Sequence, residues 1–404
     1  MSAARVATGL DVLAAEWFAR LEGRKVGLIV NPTSVDARLR HIVDLAASTP
    51  AITIGGLFGP EHGIRAEAQD LIGVSSGVDR RTGATVHSLY GADVASLAPT
   101  PEQLEGIDTL VFDVQDVGSR YYTFPATMRY AMQAAARAGI SFVVLDRPNP
   151  IGGEWIEGPT VTAGHESFIS ARPIPIRHGL TVGELALLDR AELGLDLDLT
   201  VVECRGLNRA MLWPDTGLPW VLPSPNMPTP DTAAVYPGGC LIEGTNLSEG
   251  RGTTRPFELW GAPWLDPYEL AEEIERELYA CGLSPGVMLR PCSFQPTFQK
   301  HAGALCGGVQ VHVTDPAAFR PVAVYTIGLA VASRLKEDRF AWRTETYEFV
   351  SNPIAIDLLY GSSRERTLID SSPPSEWARD LFEGEWRRDE LAFAERRVPY
   401  LLYR

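Results

Sequence analysis

Short runs of β-branched and aliphatic residues alternate with helical patterns in the first part of this 404-residue chain, and this alternation is the strongest constraint on its fold. The runs typical of strands lie at 25–30, 52–58, 108–114 and 141–146. The stretches 38–48 and 126–139 lie between them; the second has apolar residues at helical spacing and ends at Gly139, a common C-terminal stop. Successive βα units of this kind predict a parallel α/β sheet.

Polar residues follow each of these predicted strands at once. Because the carboxyl ends of parallel strands line the ligand crevice of an open α/β sheet, we expect these residues to face one edge. Asn31 and Asn149 are explained equally well by tight turns, in which asparagine is common. Turn geometry does not require Glu, His or Arg, so a functional role is favoured more strongly for Glu61, His62, Arg65, Asp116 and Arg120.

The pattern changes near residue 160, where we predict a second α/β unit. Capping signals predict that helices begin at 181–184, 266–269 and 315–319. Strands of this unit are predicted at 199–203, 287–291 and 308–313. We therefore expect two domains, residues 1–160 and residues 161–404.

A stretch rich in Pro, Gly and Trp at 213–240 leads directly into "EGTNLSEGRGTTRPFE", residues 243–258. Structureless segments of this length in compact domains are usually functional. The glycines of 243–258 also indicate that the backbone must come close to something. We expect this segment to lie in the cleft that faces the strand ends of the first domain.

Several function classes are disfavoured by charge and by missing motifs. The formal charge of -15 would repel a polyphosphate backbone, so we do not expect nucleic acid as a partner. There is no GxGxxG after the first strand and no GxxxxGK[ST], so the usual backbone cradles for a dinucleotide or a triphosphate are missing. The seven histidines show no HExxH and the five cysteines no CxxC pair, so we expect neither a metal nor another cofactor, while a metal site built from distant residues stays open.

No apolar run is long enough to span a bilayer, and Asp11 and Glu16 interrupt the stretch where a signal peptide would need its apolar core. We expect no membrane partner and a cytoplasmic protein, or a secreted one whose leader has been removed. The sequence makes no prediction about the oligomeric state.

The side chains expected near the cleft suit an acidic sugar. Polar groups fix hydroxyls, aromatic rings stack on sugar faces, and two carboxyl groups flanking a glycosidic bond catalyse its hydrolysis. Arginines in so acidic a neighbourhood indicate a negatively charged ligand, because a guanidinium matches a carboxylate bidentately. For any single Arg–Glu pair, a mutual contact that orders the loop is the more common use. The residues concerned are Glu61, Asp116, Glu243, Glu249, Glu258, Arg65, Arg120, Arg251, Arg255, Tyr121, Tyr122 and Trp220.

Long motifs also resemble a known family. They include "GLIVNPT", "FGPEHGIR", "FDVQDVGSRYYT", "VLDRPNPIGG", "GLPWVLPSPNMPT" and "YPGGCLIEGTNLSEGRGTTRPFE". With them the chain resembles the DUF1343 family, which includes exo-β-N-acetylmuramidases of the NamZ type, glycoside hydrolase family 171. The likeness runs from about residue 9 to the C-terminus. It implies a Rossmann-like N-terminal domain, a smaller C-terminal α/β domain and an active site between them.

The resemblance also implies a reaction, the removal of β-linked N-acetylmuramic acid (MurNAc) from the non-reducing end of peptidoglycan fragments such as MurNAc-GlcNAc. Glu61 would be the catalytic acid with His62 beside it, and Glu243 and Glu249 would be candidates for a second carboxyl role. Candidates for binding the lactyl carboxylate are Arg65, Arg120, Arg251 and Arg255. Further candidate substrate contacts are Asn31, Asp116, Tyr121, Tyr122, Asn149, Asn226 and Asn246.

Two other functions stay open on the sequence. A non-catalytic binding protein for an acidic amino sugar is also built from two α/β domains around a polar cleft. A hydrolase or lyase that acts on another acidic amino sugar would use the same residue types. The sequence does not predict whether hydrolysis retains or inverts the anomeric centre, because the separation of the carboxyl groups decides this.

Overall fold

The computed structural model of the protein describes residues 5–61, 63–64, 77–91, 93–283 and 286–404. Its larger sheet contains β1 (Lys25–Val30), β2 (Thr53–Gly59), β3 (Gly77–Val78), β4 (Thr85–Ser88), β5 (Thr109–Asp113), β6 (Ser141–Leu145) and β7 (Leu199–Val202). Within the described residues the strand order is β3-β4-β2-β1-β5-β6-β7. Neighbouring strands are parallel except for β3 and β4.

The parallel strands run outward in both directions from the centre of this sheet. The chain passes from β1 to β2 and β4 on one side, and from β5 to β6 and β7 on the other. This is the Rossmann-like order, in which the ligand crevice lies at the carboxyl ends of the strands, where the order reverses. β5 is buried along its whole length and β1 along all but its first residue, which explains their continuous apolar runs.

Helices cover both faces of the sheet. The described helices of the chain, of which α1 to α4 pack on this sheet, are α1 (Gly9–Ala15), α2 (Ile42–Ala47), α3 (Thr123–Ala138), α4 (Val182–Glu192), α5 (Pro230–Gly239), α6 (Pro267–Ala280), α7 (Pro321–Leu335), α8 (Ala355–Tyr360), α9 (Arg364–Ser371), α10 (Pro374–Arg379) and α11 (Arg387–Arg396). Side chains alternate across β1, so Leu28 packs with α1 and α2 on one face. Ile29 belongs to the core that contains α3 and α4 on the other.

Two predicted helix starts are confirmed by their caps. At α4, the Thr181 hydroxyl accepts from the backbone N–H of Glu184, whose carboxylate accepts from the N–H of Thr181. At α6, Asp266 accepts from two backbone N–H groups, and Pro267 occupies the first helical position. α3 also ends as predicted, at Gly139, where φ is 65°.

Two sequence-based predictions were wrong. We expected 199–203 to belong to the second unit, but β7 pairs in parallel with β6 and forms the edge of the larger sheet. The sheet therefore continues well past the expected boundary at residue 160. We also expected a helix from 315–319, but these residues form a turn in which Asp315 accepts from the N–H of Ala317. Asp followed by Pro suits a turn as well as a helix start, and α7 begins only at Pro321.

The smaller sheet contains β8 (Leu259–Ala262), β9 (Val287–Phe294) and β10 (Cys306–Val313), in the antiparallel order β8-β10-β9. The predicted strands at 287–291 and 308–313 are thus confirmed. One continuous apolar core joins the two parts of the chain, from Phe112 in β5 to Tyr325 in α7. The described residues include all five cysteines, and each is a free thiol. Among the described helices, none combines the length and apolar character needed to cross a bilayer.

Candidate active site

The carboxyl end of β2 positions Glu61 beside the start of α3. Glu61 follows the strand by two residues and is only 4% exposed. Its Oε2 accepts a hydrogen bond of 2.7 Å from the Thr123 hydroxyl, in the first turn of α3. Its Oε1 has no hydrogen-bond partner among the residues that the structure describes. One carboxyl oxygen is thus fixed by the protein, while the other has no described partner.

Glu61 lines a pocket formed by both parts of the chain. The pocket contains about 460 Å³ of empty space, counted out to its open mouth. Its walls include the loop after β5, the stretch that leads into α5 and the Gly-rich segment 243–258. The described lining residues are Glu61, Tyr121, Tyr122, Thr123, Ile169, Ser224, Asn226, Met227, Tyr236, Glu243, Arg251, Phe257, Tyr347 and Glu348.

Aromatic rings form much of the pocket wall and contact one another edge to face. The ring centroid of Tyr236 lies 5.8 Å from that of Tyr121, 5.6 Å from that of Tyr122 and 4.8 Å from that of Phe257. The Tyr121 hydroxyl donates to the carbonyl of Pro237, and burial raises the pKa of Tyr122. The wall therefore combines rigid apolar faces with hydroxyl groups, as sugar sites do.

An ionic group lies on the side of the pocket formed by 243–258. Oε1 of Glu243 accepts from Nη2 of Arg251 at 2.7 Å, and its Oε2 accepts from the Tyr347 hydroxyl at 2.6 Å. Burial acts to raise the pKa of Glu243, but Arg251, Tyr347 and Lys300 outweigh it, so the pKa is lowered overall. The Arg251 guanidinium also lies 5.1 Å over the Phe257 ring. Glu243 is therefore a carboxylate held on both oxygens.

Glu249 is buried on the far side of this group and does not line the pocket. Its Oε1 lies 3.4 Å from Nε of Arg251, and its Oε2 lies 2.9 Å from Nζ of Lys300. Arg251 is thus shared by two carboxylates. The placement of Glu249 offers it no direct path to a ligand in this pocket.

Two glycines of 243–258 allow this segment to pack closely against the backbone of other segments of the protein. Gly250 and Gly252 have φ of 75° and 78°. A Cβ at Gly250 would lie 2.3 Å from the carbonyl oxygen of Leu259, and one at Gly252 would lie 2.7 Å from the backbone nitrogens of Thr297 and Phe298. At these two positions, glycine is required by the packing of the loop on its own protein.

Arg120 does not line the pocket described above. Its side chain is buried and donates to four backbone carbonyl oxygens, those of Pro159, Ile174, Leu359 and Tyr360, at 2.6 to 2.9 Å. Burial lowers the pKa of Arg120 to about 10, so it stays charged at neutral pH. Arg120 therefore joins segments that are distant in the sequence.

Of the four asparagines and Asp116 that we predicted to contact the substrate, one lines the pocket and the others bond to protein groups elsewhere. Asn226 lines the pocket. The Asn31 side chain accepts from Thr33 inside its turn, and Asn149 donates to Leu180 and accepts from Ile151. Asn246 donates to the carbonyl of Arg339 and accepts from Ala341, outside the pocket. Asp116 accepts from the N–H of Gly118 and lies 3.3 Å from Nε2 of His178.

Arg255 and Glu258 line a second, larger groove on the other side of α5. This groove has about 1040 Å³ of empty space, and its lining is mostly apolar. Arg255 is half-exposed and lies 3.4 Å from the Glu258 carboxylate. We take the smaller pocket as the candidate active site despite its size, because it brings Glu61, Glu243 and Arg251 together. His62 and Arg65 lie outside the described residues, so their positions are not assigned.

Several pocket residues have no distinguishing signal in the sequence. Tyr347 and Glu348 come from "TETYEFV", far from the long motifs, and tertiary structure alone brings them to Glu243. Thr123 lies in the motif "FDVQDVGSRYYT" and Ser224 lies in "GLPWVLPSPNMPT", so the sequence contained a signal for both. Among the described residues, no cluster of three or more His, Cys, Asp or Glu side chains is arranged to hold a metal ion.

Comparison with known proteins covers almost the whole chain. Residues 26–231 match the family "Exo-beta-N-acetylmuramidase NamZ, N-terminal", and residues 234–403 match its C-terminal counterpart. The chain is 46% identical over 399 residues to the peptidoglycan beta-N-acetylmuramidase NamZ of Bacillus subtilis, with coverage of 99% of this chain and 92% of that protein.

Crystal structures of two DUF1343 family proteins from Bacteroides fragilis are also similar. One has a TM-score of 0.87 at 36% identity, and the other has 0.76 at 27%, each with 99% of both chains covered. These matches confirm the α/β fold and the resemblance drawn from the motifs. The chain belongs to the NamZ family of exo-β-N-acetylmuramidases.

Proposed function

We propose that this protein is an exo-β-N-acetylmuramidase that hydrolyses β-linked MurNAc from the non-reducing end of peptidoglycan fragments, with MurNAc-GlcNAc as the minimal natural substrate. The near-full-length similarity to the Bacillus subtilis peptidoglycan beta-N-acetylmuramidase supports the reaction and the substrate class. The pocket is formed by both parts of the chain and brings Glu61 together with aromatic rings and Arg251, the residue types that suit an acidic sugar.

The observation that carries the proposal is the setting of Glu61. General-acid catalysis needs a carboxyl group held in reach of the leaving oxygen. Glu61 lines the pocket, the Thr123 hydroxyl fixes its Oε2, and its Oε1 has no described partner. In the reaction, Glu61 gives its proton to the glycosidic oxygen while the bond from the anomeric carbon to that oxygen breaks. The bonding electrons leave with the GlcNAc oxygen, which becomes a hydroxyl.

We assign binding of the sugar ring to the aromatic wall and to Arg251. Tyr121, Tyr122 and Tyr236 offer ring edges, faces and hydroxyls to the pyranose. Arg251 is the candidate for the lactyl carboxylate, because it lines the same pocket as Glu61. Its contacts with Glu243 and Glu249 reduce its net attraction for another anion, so its contribution would be orientation as much as affinity.

Glu61→Gln tests the proposal. The amide keeps the shape of the side chain but has no acidic proton, so kcat on MurNAc-GlcNAc should fall by roughly 10²–10⁴-fold with little change in KM. The loss should be much smaller on 4-nitrophenyl β-MurNAc, because nitrophenolate leaves without protonation. Reducing-sugar release and absorbance measure the two reactions.

Glu22→Gln is the matched control, since Glu22 is exposed and distant in sequence from every pocket residue. It should keep wild-type rates on both substrates. Near-normal hydrolysis of the disaccharide by Glu61→Gln would contradict the assignment of the acid. Absence of MurNAc release by the wild-type protein would contradict the function itself.

A further inference from the structure

A tight turn at Tyr347–Val350 carries backbone strain into the candidate active site. The backbone N–H and C=O groups of Tyr347 and Val350 pair with each other at 2.9 Å in both directions. The two residues between them, Glu348 and Phe349, have φ of 45° and 69°. Turns with positive φ at both central positions strongly favour Asn and Gly, because a larger side chain is disfavoured there. Such strain clusters at functional sites.

Aromatic contacts hold this turn in place. The Phe349 ring centroid lies 5.9 Å from that of Tyr90 and 6.5 Å from that of Phe168. The Tyr347 ring lies under the Arg343 guanidinium at 4.9 Å, and its hydroxyl donates to Glu243. The anchored turn therefore fixes the direction of the Glu348 side chain between its two neighbours.

Glu348 lines the same pocket as Glu61. It is 7% exposed, and its Oε2 accepts from the Tyr90 hydroxyl at 3.1 Å. The described carboxyl groups that line this pocket belong to Glu61, Glu243 and Glu348. Glu243 has both oxygens engaged by Arg251 and Tyr347, which leaves it poorly placed to receive a proton from a ligand. Glu348 lines the pocket beside Glu61 and is carried by the strained turn, so it is a candidate for the second carboxyl role.

We propose that Glu348 is the second catalytic carboxyl group of this pocket and that the strained turn exists to aim it at the anomeric carbon. The inference rests on the proposed glycosidase function. After Glu61 has protonated the leaving oxygen, the Glu348 carboxylate accepts the proton of the group that attacks the anomeric carbon. That group is either water or the acetamido substituent of the substrate, whose carbonyl oxygen bonds to the anomeric carbon while its N–H proton passes to Glu348, giving an oxazoline that water then opens. With water, the new C–O bond forms as the O–H bond breaks, and the proton resides on Glu348.

Glu348→Gln is the first test. It should lower kcat by about 10²-fold or more with a small change in KM, because a proton acceptor is lost. The loss should be similar on MurNAc-GlcNAc and on 4-nitrophenyl β-MurNAc, since Glu348 acts on the attacking group and not on the leaving one. This equal loss distinguishes it from Glu61→Gln.

Glu348→Ala with added formate is the second test. A small carboxylate in the vacated space should restore part of the turnover, which a merely structural side chain would not allow. Circular dichroism and thermal denaturation check that each variant is folded.

Glu348→Asn separates function from strain. Asparagine suits positive φ and is short, so this variant should keep or raise Tm while losing turnover. Leu39→Asn is the matched control, because Leu39 has φ of 62° and is 56% exposed. It should keep or raise Tm with turnover unchanged.

The outcomes distinguish this inference from the proposed function. If wild-type protein releases no MurNAc, both are wrong. If the wild type is active and Glu348→Gln stays within about threefold of it, only the role of Glu348 is wrong. The role is also wrong if the variant loses turnover together with its thermal transition, or if formate restores nothing. Loss of turnover with Tm preserved, equal on both substrates and restored by formate, supports it.

Discussion

Two regions of the molecule bury charged side chains but use them differently. One is the pocket, and the other is the junction, where Arg120 joins the segment 159–174 to α8. At the junction, Arg120 donates to four backbone carbonyl oxygens, two before residue 175 and two in α8. In the pocket, Arg251 is paired with the Glu243 carboxylate beside open volume, and Glu61 has an oxygen with no described partner.

The hydrogen-bond partners of a buried arginine decide whether it is available to a ligand. Both arginines lie in long sequence motifs, and both are buried. A guanidinium that donates to several carbonyl oxygens has little capacity left for a substrate carboxylate. The Arg251 guanidinium instead lines the pocket, where a ligand can reach it. The surroundings of a charged residue therefore separate a structural arginine from a candidate binding arginine.

The largest expected effect is on stability. Arg120→Met leaves the four carbonyl oxygens buried without a donor, so the free energy of unfolding should fall by about 3–5 kcal/mol. Urea denaturation measures this change. The exposed Arg38→Met is the control and should stay within about 0.5 kcal/mol of wild type. A small loss for Arg120→Met would remove the contrast between the two regions.

The next effect is on substrate preference. If Arg251 orients the lactyl carboxylate, Arg251→Met should lower kcat/KM for a β-MurNAc glycoside by about 10²-fold, equivalent to about 2.7 kcal/mol, and leave the rate on the GlcNAc analogue almost unchanged. Arg255→Met, in the larger groove, should keep the wild-type preference. An equal loss on both glycosides would assign Arg251 a structural role like that of Arg120.

The smallest of the three effects concerns Glu157, a buried carboxyl group at the junction. Burial raises the pKa of Glu157 to about 7, although Arg320 lies 4.0 Å away and the N–H of Ala323 donates to it. The folded protein thus binds this proton more tightly than the unfolded chain, where the pKa is about 4.3. The resulting stabilisation is complete below about pH 4 and is lost as the pH rises through about 7.

Glu157→Gln cannot ionise, so it should be more stable than wild type by about 1–3 kcal/mol near pH 8, and this advantage should disappear near pH 4. Chemical denaturation at both pH values measures the difference. Glu22→Gln should show no such pH-dependent gain. A constant difference across the pH range would mean that Glu157 does not titrate as its burial requires.

The sequence predicted β1, β2, β5 and β6 of the larger sheet and the starts of α4 and α6, because these depend on local patterns, whereas the short strands β3 and β4 were not predicted. The pairing of β7 was missed, since a short strand does not reveal its neighbour. Within the site, Glu61, Asn226, Glu243 and Arg251 were named from motifs and line one pocket. Glu348 was missed because its position depends on a turn held by Tyr90 and Phe168, which lie far away in the sequence.

The continuous apolar core has a consequence for how substrate enters. Solute receptors with two lobes open and close about a hinge. This motion requires an interface between the lobes that buries little apolar surface. Here Phe112 and Tyr325 belong to one core, so separating the lobes would expose apolar surface that folding had buried. Substrate binding therefore cannot depend on a hinge that separates the two parts of the chain, because that motion would cost the free energy gained by burying their shared core.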